Sequence, residues 1–253
     1  MDNNRLNESV VIGRNAIREL LKTEKDVDKI YVQRGGLEGA VKAILAMAAE
    51  KKIPILEVDK AKLDFLSEKG AHQGIIAVTA EHNYATLEQV MEYADSKGEN
   101  PFIVICDGIE DPHNLGAVIR SAECSGVHGV IIPKRRAVGL THVVAKSSAG
   151  ALEHMRVVKV TNLASTVEQL KKLGFWIYAA DMGGENYFQV DYSGSVAVVL
   201  GSEGFGISRI VKEKSDFVVS IPMHGEVNSM NVSCAAAVIL TEVSKQRHFK
   251  GGR

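Results

Sequence analysis

The strongest constraint on this fold is a set of short strands that are apolar almost from end to end. FIVICDG (102–108), GVIIP (129–133), VVKV (157–160), WIYAAD (176–181), VAVVLG (196–201) and FVVSIP (217–222) carry apolar residues at odd and even positions alike. A strand with one wet face turns polar at every second residue, and these do not. Both faces must then be covered, the signature of a parallel sheet between helices. The intervening segments NLGAVIRSAECSG (114–126), STVEQLKKLG (165–174) and SMNVSCAAAVILTEVSKQRH (229–248) have helical spacing.

The first eighty residues form a smaller α/β series. VIGRNAIRELLKTE (11–24) places Val11, Ile12, Ile17, Leu20 and Leu21 near helical spacing and is expected to be one helix. KIYVQ, IPILEV and GIIAVTA read as strands, GAVKAILAMAAEKK and AKLDFLSEKG as helices. Between the two series, residues 81–100 hold one amphipathic helix on Leu87, Val90, Met91 and Ala94, closed by Lys97-Gly98. The expected organisation is a small domain over 1–80, a linker and helix over 81–100, and a larger domain over 101–253.

Composition narrows the function classes. Thirty Lys and Arg against 31 Asp and Glu give a net charge of −1, which excludes a bulk polycation but leaves room for local basic patches. No apolar run approaches the roughly 20 residues of a membrane span. The opening MDNNRLNESVVIG is polar and acidic, unlike a secretory or transit signal. Cys106, Cys124 and Cys234 are dispersed without a C-x-x-C pair, so a reducing cytosol and no metal site are expected.

Three loops follow apolar strands, where open α/β sheets gather ligands. In DGIEDPHNLGAVIRSAE (107–123), Asn114 is the expected helix cap, and Leu115, Val118, Ile119 and Ala122 the core stripe. Arg120 lies off that stripe, one turn beyond Gly116 and Ala117, so it is expected to reach over a bare patch; the alternative is an i,i+3 surface pair with Glu123. VAVVLGSEGFGIS (196–208) is glycine-rich, but its G-x-x-G-x-G order matches neither the dinucleotide fingerprint nor the phosphate loop. Glu203 inside it disfavours a phosphate and suits a cationic ligand or a hydroxyl that must be oriented. In IPMHGEVNSMNVS (221–233), Asn228, Ser229, Asn231 and Ser233 exceed what one helix cap needs. His113 and His224 have no partner at metal-ligand spacing.

Taken in order and spacing, the segments at 114–123, 200–208 and 221–238 resemble the three motifs of the SpoU (TrmH) family of RNA ribose 2′-O-methyltransferases. Within it, the chain resembles the branch that modifies guanosine in bacterial 23S rRNA. The resemblance covers essentially the whole chain, with HQGIIAV (72–78) closing an N-terminal domain of the ribosomal-protein L30e type. It implies a catalytic domain tied in a trefoil knot, a homodimer, a cytoplasmic setting, and S-adenosylmethionine as cofactor. Gly201, Ile221 and Met230 match positions that contact this cofactor, with Leu200, Met223, Asn231 and Ser233 beside them. Asn114, Arg120, Glu203, Ser229 and Asn231 match the catalytic positions. A leucine is usual where Met230 stands, a volume-conserving change.

Guanidinium is effectively always protonated in proteins, so electrostatic stabilisation of a developing alkoxide suits Arg120 better than proton abstraction. Gly201 is expected to bring its backbone against the cofactor, so that valine there abolishes cofactor binding and leaves the fold intact. The SCAAAVILTEV stretch is expected to be buried in the dimer. For RNA contact, Arg5, Arg14, Arg18 and Arg34 are candidates in the first domain and KRR (134–136) in the second. A tRNA target and a catalytically inactive RNA-binding ribosome factor are the alternatives. The second would be expected to have lost one of Asn114, Arg120, Glu203 or Asn231.

Overall fold

Six strands of the larger unit lie side by side and all run parallel: β5 (Phe102–Asp107), β6 (Gly129–Pro133), β7 (Arg156–Val160), β8 (Phe175–Asn186), β9 (Ser195–Gly201) and β10 (Phe217–Ser220). Their order across the sheet is β10-β8-β9-β5-β6-β7, with every neighbouring pair parallel. The end-to-end apolar strands thus sit where the pattern requires. Ile103, Ile105, Ile131, Ile177, Ala197 and Val199 pack into one core with Leu87, Val90, Leu163, Val167 and Val211. The alternate residues Val104, Cys106, Val130, Val196, Val198 and Leu200 are buried as well, so both faces are covered at β5, β6 and β9, while Trp176 in β8 and Phe217 in β10 stay exposed. Each such aliphatic side chain contributes on the order of 1.5–3 kcal/mol relative to exposure.

The structure is a computed structural model, described here over residues 9–23, 26–35, 39–67, 70–79 and 82–249. The chain divides into two units, Met1–Asn83 with Gly139–Val143, and Tyr84–Val138 with Val144–Arg253. In the first, β1 (Ser9–Ile12), β2 (Val27–Gln33), β3 (Ile55–Val58) and β4 (Ile75–Thr79) form a four-stranded sheet in the order β1-β4-β2-β3. Helices α1 (Arg14–Leu20) and α2 (Ala40–Glu50) cover one core with Ile17, Leu21, Val41 and Ile44, while α3 (Lys60–Leu66) supplies Leu63 and Leu66 to another.

Three corrections to the sequence reading are physical. Val11 and Ile12 belong to β1, paired antiparallel with Ala77 and Ile76, and not to the helix that follows. Gly13, at φ 93, makes the break, a left-handed backbone that a helix interior cannot contain. The short helices α6 (His142–Ser147) and α8 (Arg209–Lys214) were not anticipated, because six residues are too few to show a period. Finally α5 (Pro112–Cys124) starts earlier than expected. Asp111 is its cap, its side chain accepting from the Asn114 N–H at 2.8 Å, with Pro112 at the first helical position. Asn114 is therefore inside the first turn and its amide is left for other work.

The remaining helices of the larger unit are α4 (Leu87–Ser96), α7 (Leu163–Lys172) and α9 (Val232–His248). Thr86 and Gln89 close a reciprocal capping box on α4, and Asn162 caps α7. Helix α9 buries Val232, Ala236, Ile239, Leu240 and Val243 within this chain and packs along α5. No described helix is long and apolar enough to cross a membrane.

Candidate active site

Parallel strands end together, so the loops after β5, β8, β9 and β10 meet at one edge of the sheet. The loop after β9 closes on itself. Ser202 and Gly206 exchange both backbone hydrogen bonds, at 3.1 and 3.0 Å, while Gly204 (φ 91) and Gly206 (φ 66) take the left-handed turns this requires. Asp107, at the end of β5, accepts from the Ser208 N–H at 2.8 Å and ties down the base of the loop. Gly201 sits against this hairpin: a Cβ there would lie 2.2 Å from Gly206 C and 2.4 Å from Ile207 N. The glycine is needed by the chain's own backbone. Valine at 201 would not leave the fold intact, and the expectation to that effect is corrected.

Asn231 joins three segments. Its Oδ1 caps α9, accepting from the Ser233 N–H at 2.9 Å and the Ser233 hydroxyl at 2.5 Å. Its Nδ2 donates to Asn114 Oδ1 at 2.9 Å and to Glu203 Oε1 at 2.6 Å. Two donated and two accepted bonds saturate a side-chain amide, and the backbone donor at Ser233 fixes which end is oxygen. Residues 114, 203 and 231, far apart in the chain, are thus drawn into one hydrogen-bonded node. Glu203 keeps its second carboxylate oxygen and Asn114 its amide nitrogen without partners among the described residues.

Two clefts share this node. The first, of about 710 Å³, is lined by Leu200, Gly201, Glu203, Ile221, Met223, Ser229, Met230 and Asn231, bringing together nearly all the predicted cofactor positions. Ser233 is absent from its wall; its hydroxyl is spent on Asn231. Sequence reasoning missed the wall formed by Ala180, Asp181 and Met182. These belong to a bulge in β8, where the pairing with β10 jumps from Ala179 to Glu185 between Val218 and Val219. The Gly183-Gly184 pair was the available signal: a Cβ on Gly184 would meet Val218 O at 2.2 Å. Asp181 is held by Lys212 Nζ at 2.7 Å. Among the described residues, no hydrogen bond engages the backbone of residues 223–230, so their main-chain groups are free for a ligand.

The second cleft, of about 980 Å³, shares Ser202, Glu203, Gly206 and Val232 with the first and adds Asn114, Arg135, Arg136 and Phe205. Arg120 lines neither cleft. It is exposed and unpaired among the described residues, so the surface pair with Glu123 is not formed. The bare patch expected beside it is not bare. Gly116 is buried because a Cβ would lie 1.9 Å from Ser147 Oγ and 2.8 Å from Val144 O, so this glycine serves the packing of α5 on α6.

Burial, and secondarily Asp107, push the Cys106 thiol up to about 12, which leaves it a protonated core residue. His113 and His224 are exposed, and no metal-binding group of His, Cys, Asp and Glu exists among the described residues. Of the arginines expected to meet RNA, Arg14 Nε donates to Gln73 O at 3.1 Å and Arg34 pairs loosely with Asp59 at 3.6 Å. Arg18 is half-buried, and Arg5 lies outside the described residues.

Residues 101–241 match the family described as SpoU rRNA Methylase, and residues 10–85 match the one described as RNA 2'-O ribose methyltransferase substrate binding. A Staphylococcus aureus (strain MSSA476) relative, provisionally named a TrmH family tRNA/rRNA methyltransferase, is 44% identical over 97% of this chain and 99% of its own. YacO of Bacillus subtilis (strain 168), with the same provisional name, is 43% identical over 95% and 97%. In structure, the chain is similar to the SpoU methyltransferase AviRb from Streptomyces viridochromogenes in complex with AdoMet (TM-score 0.61, 24% identity, 99% and 95% covered). It is also similar to a crystal structure described as an RNA 2'-O ribose methyltransferase (TM-score 0.55, 25% identity, 96% and 90% covered). With more than half its length inside the family match and relatives this similar along nearly all of it, the chain belongs to the SpoU rRNA methylase family and is an RNA methyltransferase.

Proposed function

We propose that the protein transfers a methyl group from S-adenosylmethionine to the ribose 2′-OH of one nucleotide in RNA, a guanosine of 23S rRNA. The observation that carries this reading is the Asn231 node, which sets Glu203 and Asn114 on the boundary between two clefts. The first cleft fits the cofactor: it has the size of a small-molecule site, apolar walls from Leu200, Ile221, Met223 and Met230, and free main-chain groups at 223–230. When bound, S-adenosylmethionine supplies an electrophilic methyl group for in-line displacement. The free oxygen of Glu203 and the free amide of Asn114 hold and orient the hydroxyl, and Ser229 assists from the first cleft. Arg120 stabilises the alkoxide as it develops, and the hydroxyl proton passes to solvent as the carbon–oxygen bond forms and the carbon–sulfur bond breaks.

Because Arg120 lines neither cleft of its own chain, the proposal includes a homodimer in which it faces the partner's site. The SCAAAVILTEV stretch of α9 lies in the interface of this dimer, where the exposed Cys234 and the half-buried Ala235, Ala237 and Val238 provide small and apolar surface. The family's trefoil knot, a cytoplasmic setting, and a division into an L30e-like RNA-binding domain (1–80), a linker (81–100) and a catalytic domain (101–253) belong to the same reading. Arg120→Ala is expected to lower single-turnover methylation about 100-fold or more while melting temperature and cofactor affinity stay unchanged, since no ion pair is lost. Wild-type rates in that variant would overturn the role. Mapping 2′-O-methyl sites in rRNA and tRNA from cells with and without the gene tests the target. The relatives' name covers both tRNA and rRNA, so a tRNA target is the second reading, and modification lost from tRNA alone would establish it.

A further inference from the structure

The second cleft contains features that the hydrogen-bonded node leaves unexplained. Phe205 stands at the tip of the stitched hairpin with 97% of its surface exposed, an arrangement with no packing rationale inside the chain. Leaving so large an apolar ring in water points to a partner. Arg135 and Arg136 line the same cleft, both exposed and both unpaired among the described residues. Arg136 also holds φ 55, a left-handed conformation that an ordinary turn would give to glycine or asparagine.

Four carboxylates, Asp107, Glu110, Asp111 and Glu203, share the cleft with these cations. Asp107 and Asp111 are engaged by the backbone N–H groups of Ser208 and Asn114, and Glu203 by Asn231. These bonds hold the three carboxylates in place without removing their charge, and the two guanidinium groups have no partner among the described residues. A flat apolar face beside two forked cations suits a base with its flanking phosphates.

We propose that this cleft receives the target nucleotide splayed out of its RNA, with Phe205 stacking on the base and Arg135 and Arg136 gripping the adjacent phosphates. The proposal rests on the methyltransferase reading above and assigns the substrate side of that site. The cleft meets the cofactor cleft at Glu203, so a nucleotide held there has its ribose beside the group that orients the hydroxyl.

The test measures methylation of 23S rRNA and tRNA transcripts over a range of RNA concentrations, with S-adenosylmethionine affinity by calorimetry as the check on folding. Phe205→Ala is expected to raise the KM for RNA tenfold or more and leave cofactor affinity within twofold. Phe205→Trp restores the KM, as a stacking role requires and a spacing role does not. Arg135→Ala with Arg136→Ala is expected to weaken RNA binding and make it less salt-dependent, because fewer phosphate counterions are released. An active wild type whose Phe205→Ala and double-arginine variants keep its KM overturns the pocket alone. A wild type that methylates neither RNA overturns the function and the pocket together.

Discussion

Two loops face each other across the first cleft, and they are built on opposite principles. The loop after β9 is stitched by the Ser202–Gly206 exchange and braced by Asp107, and its glycines are there to let backbone lie on backbone. Across from it, residues 223–230 carry no backbone hydrogen bonds among the described residues and expose their methionines. The first loop is a fixed wall whose geometry exists before any ligand. The second keeps its donors and acceptors for whatever enters. They touch at Asn231, where the fixed wall and the free one are fastened by a single side chain.

The largest expected effect comes from breaking the fixed wall. Gly201→Val should force Gly206 and Ile207 away, costing about 1–3 kcal/mol by overpacking and at least a hundredfold in cofactor affinity, measured by thermal melting and calorimetry. A cofactor affinity close to wild type would mean that the hairpin is more pliant than its bonding implies. Next comes the fastening. Asn231→Asp keeps an acceptor for the Ser233 N–H but replaces the donor facing Asn114 and Glu203 with a negative oxygen. Methylation is expected to fall ten- to a hundredfold while the melting temperature drops only slightly. Asn231→Ala also loses the cap, worth about 1 kcal/mol. If the two variants are equally unstable, the cap does not explain the difference.

Hydrogen exchange sharpens the contrast without mutation. Amides of 223–230 are expected to exchange rapidly in the free protein and to gain protection with S-adenosylmethionine, whereas Ser202 and Gly206 are protected from the start. The smallest effect is expected at Gly225, where a Cβ meets nothing within 4 Å and φ lies outside the left-handed region. Gly225→Ala should shift stability and affinity by less than about 0.5 kcal/mol. Glycines of the two facing loops would then differ because one has its own chain for a neighbour and the other has solvent.

That pair also shows where sequence reasoning reaches. Burial on both faces of a strand is written in its residues, so the parallel sheet was legible from the apolar runs alone. The motif order at 114–123, 200–208 and 221–238 located the two clefts. Which atom a glycine spares is a matter of tertiary contact, and neither Gly116 nor Gly201 discloses in sequence that Ser147 or Gly206 fills the space. The cap was misplaced for a similar reason. Asp111 and Asn114 are both good caps, and Pro112, which fits the first helical position, decides between them. The bulge in β8 was hidden because pairing register belongs to two strands and can be read from neither one separately.

Asn231 also makes the long C-terminal helix an energetic relay. The side chain that starts α9 is the one that steadies Glu203, so ligand binding and helix formation draw on the same bonds. Binding free energies that share a state are reciprocal. A ligand that holds Glu203 therefore suppresses fraying at the start of α9, and a substitution that opens that start weakens the ligand in turn. Helix α9 is in this sense part of the binding constant.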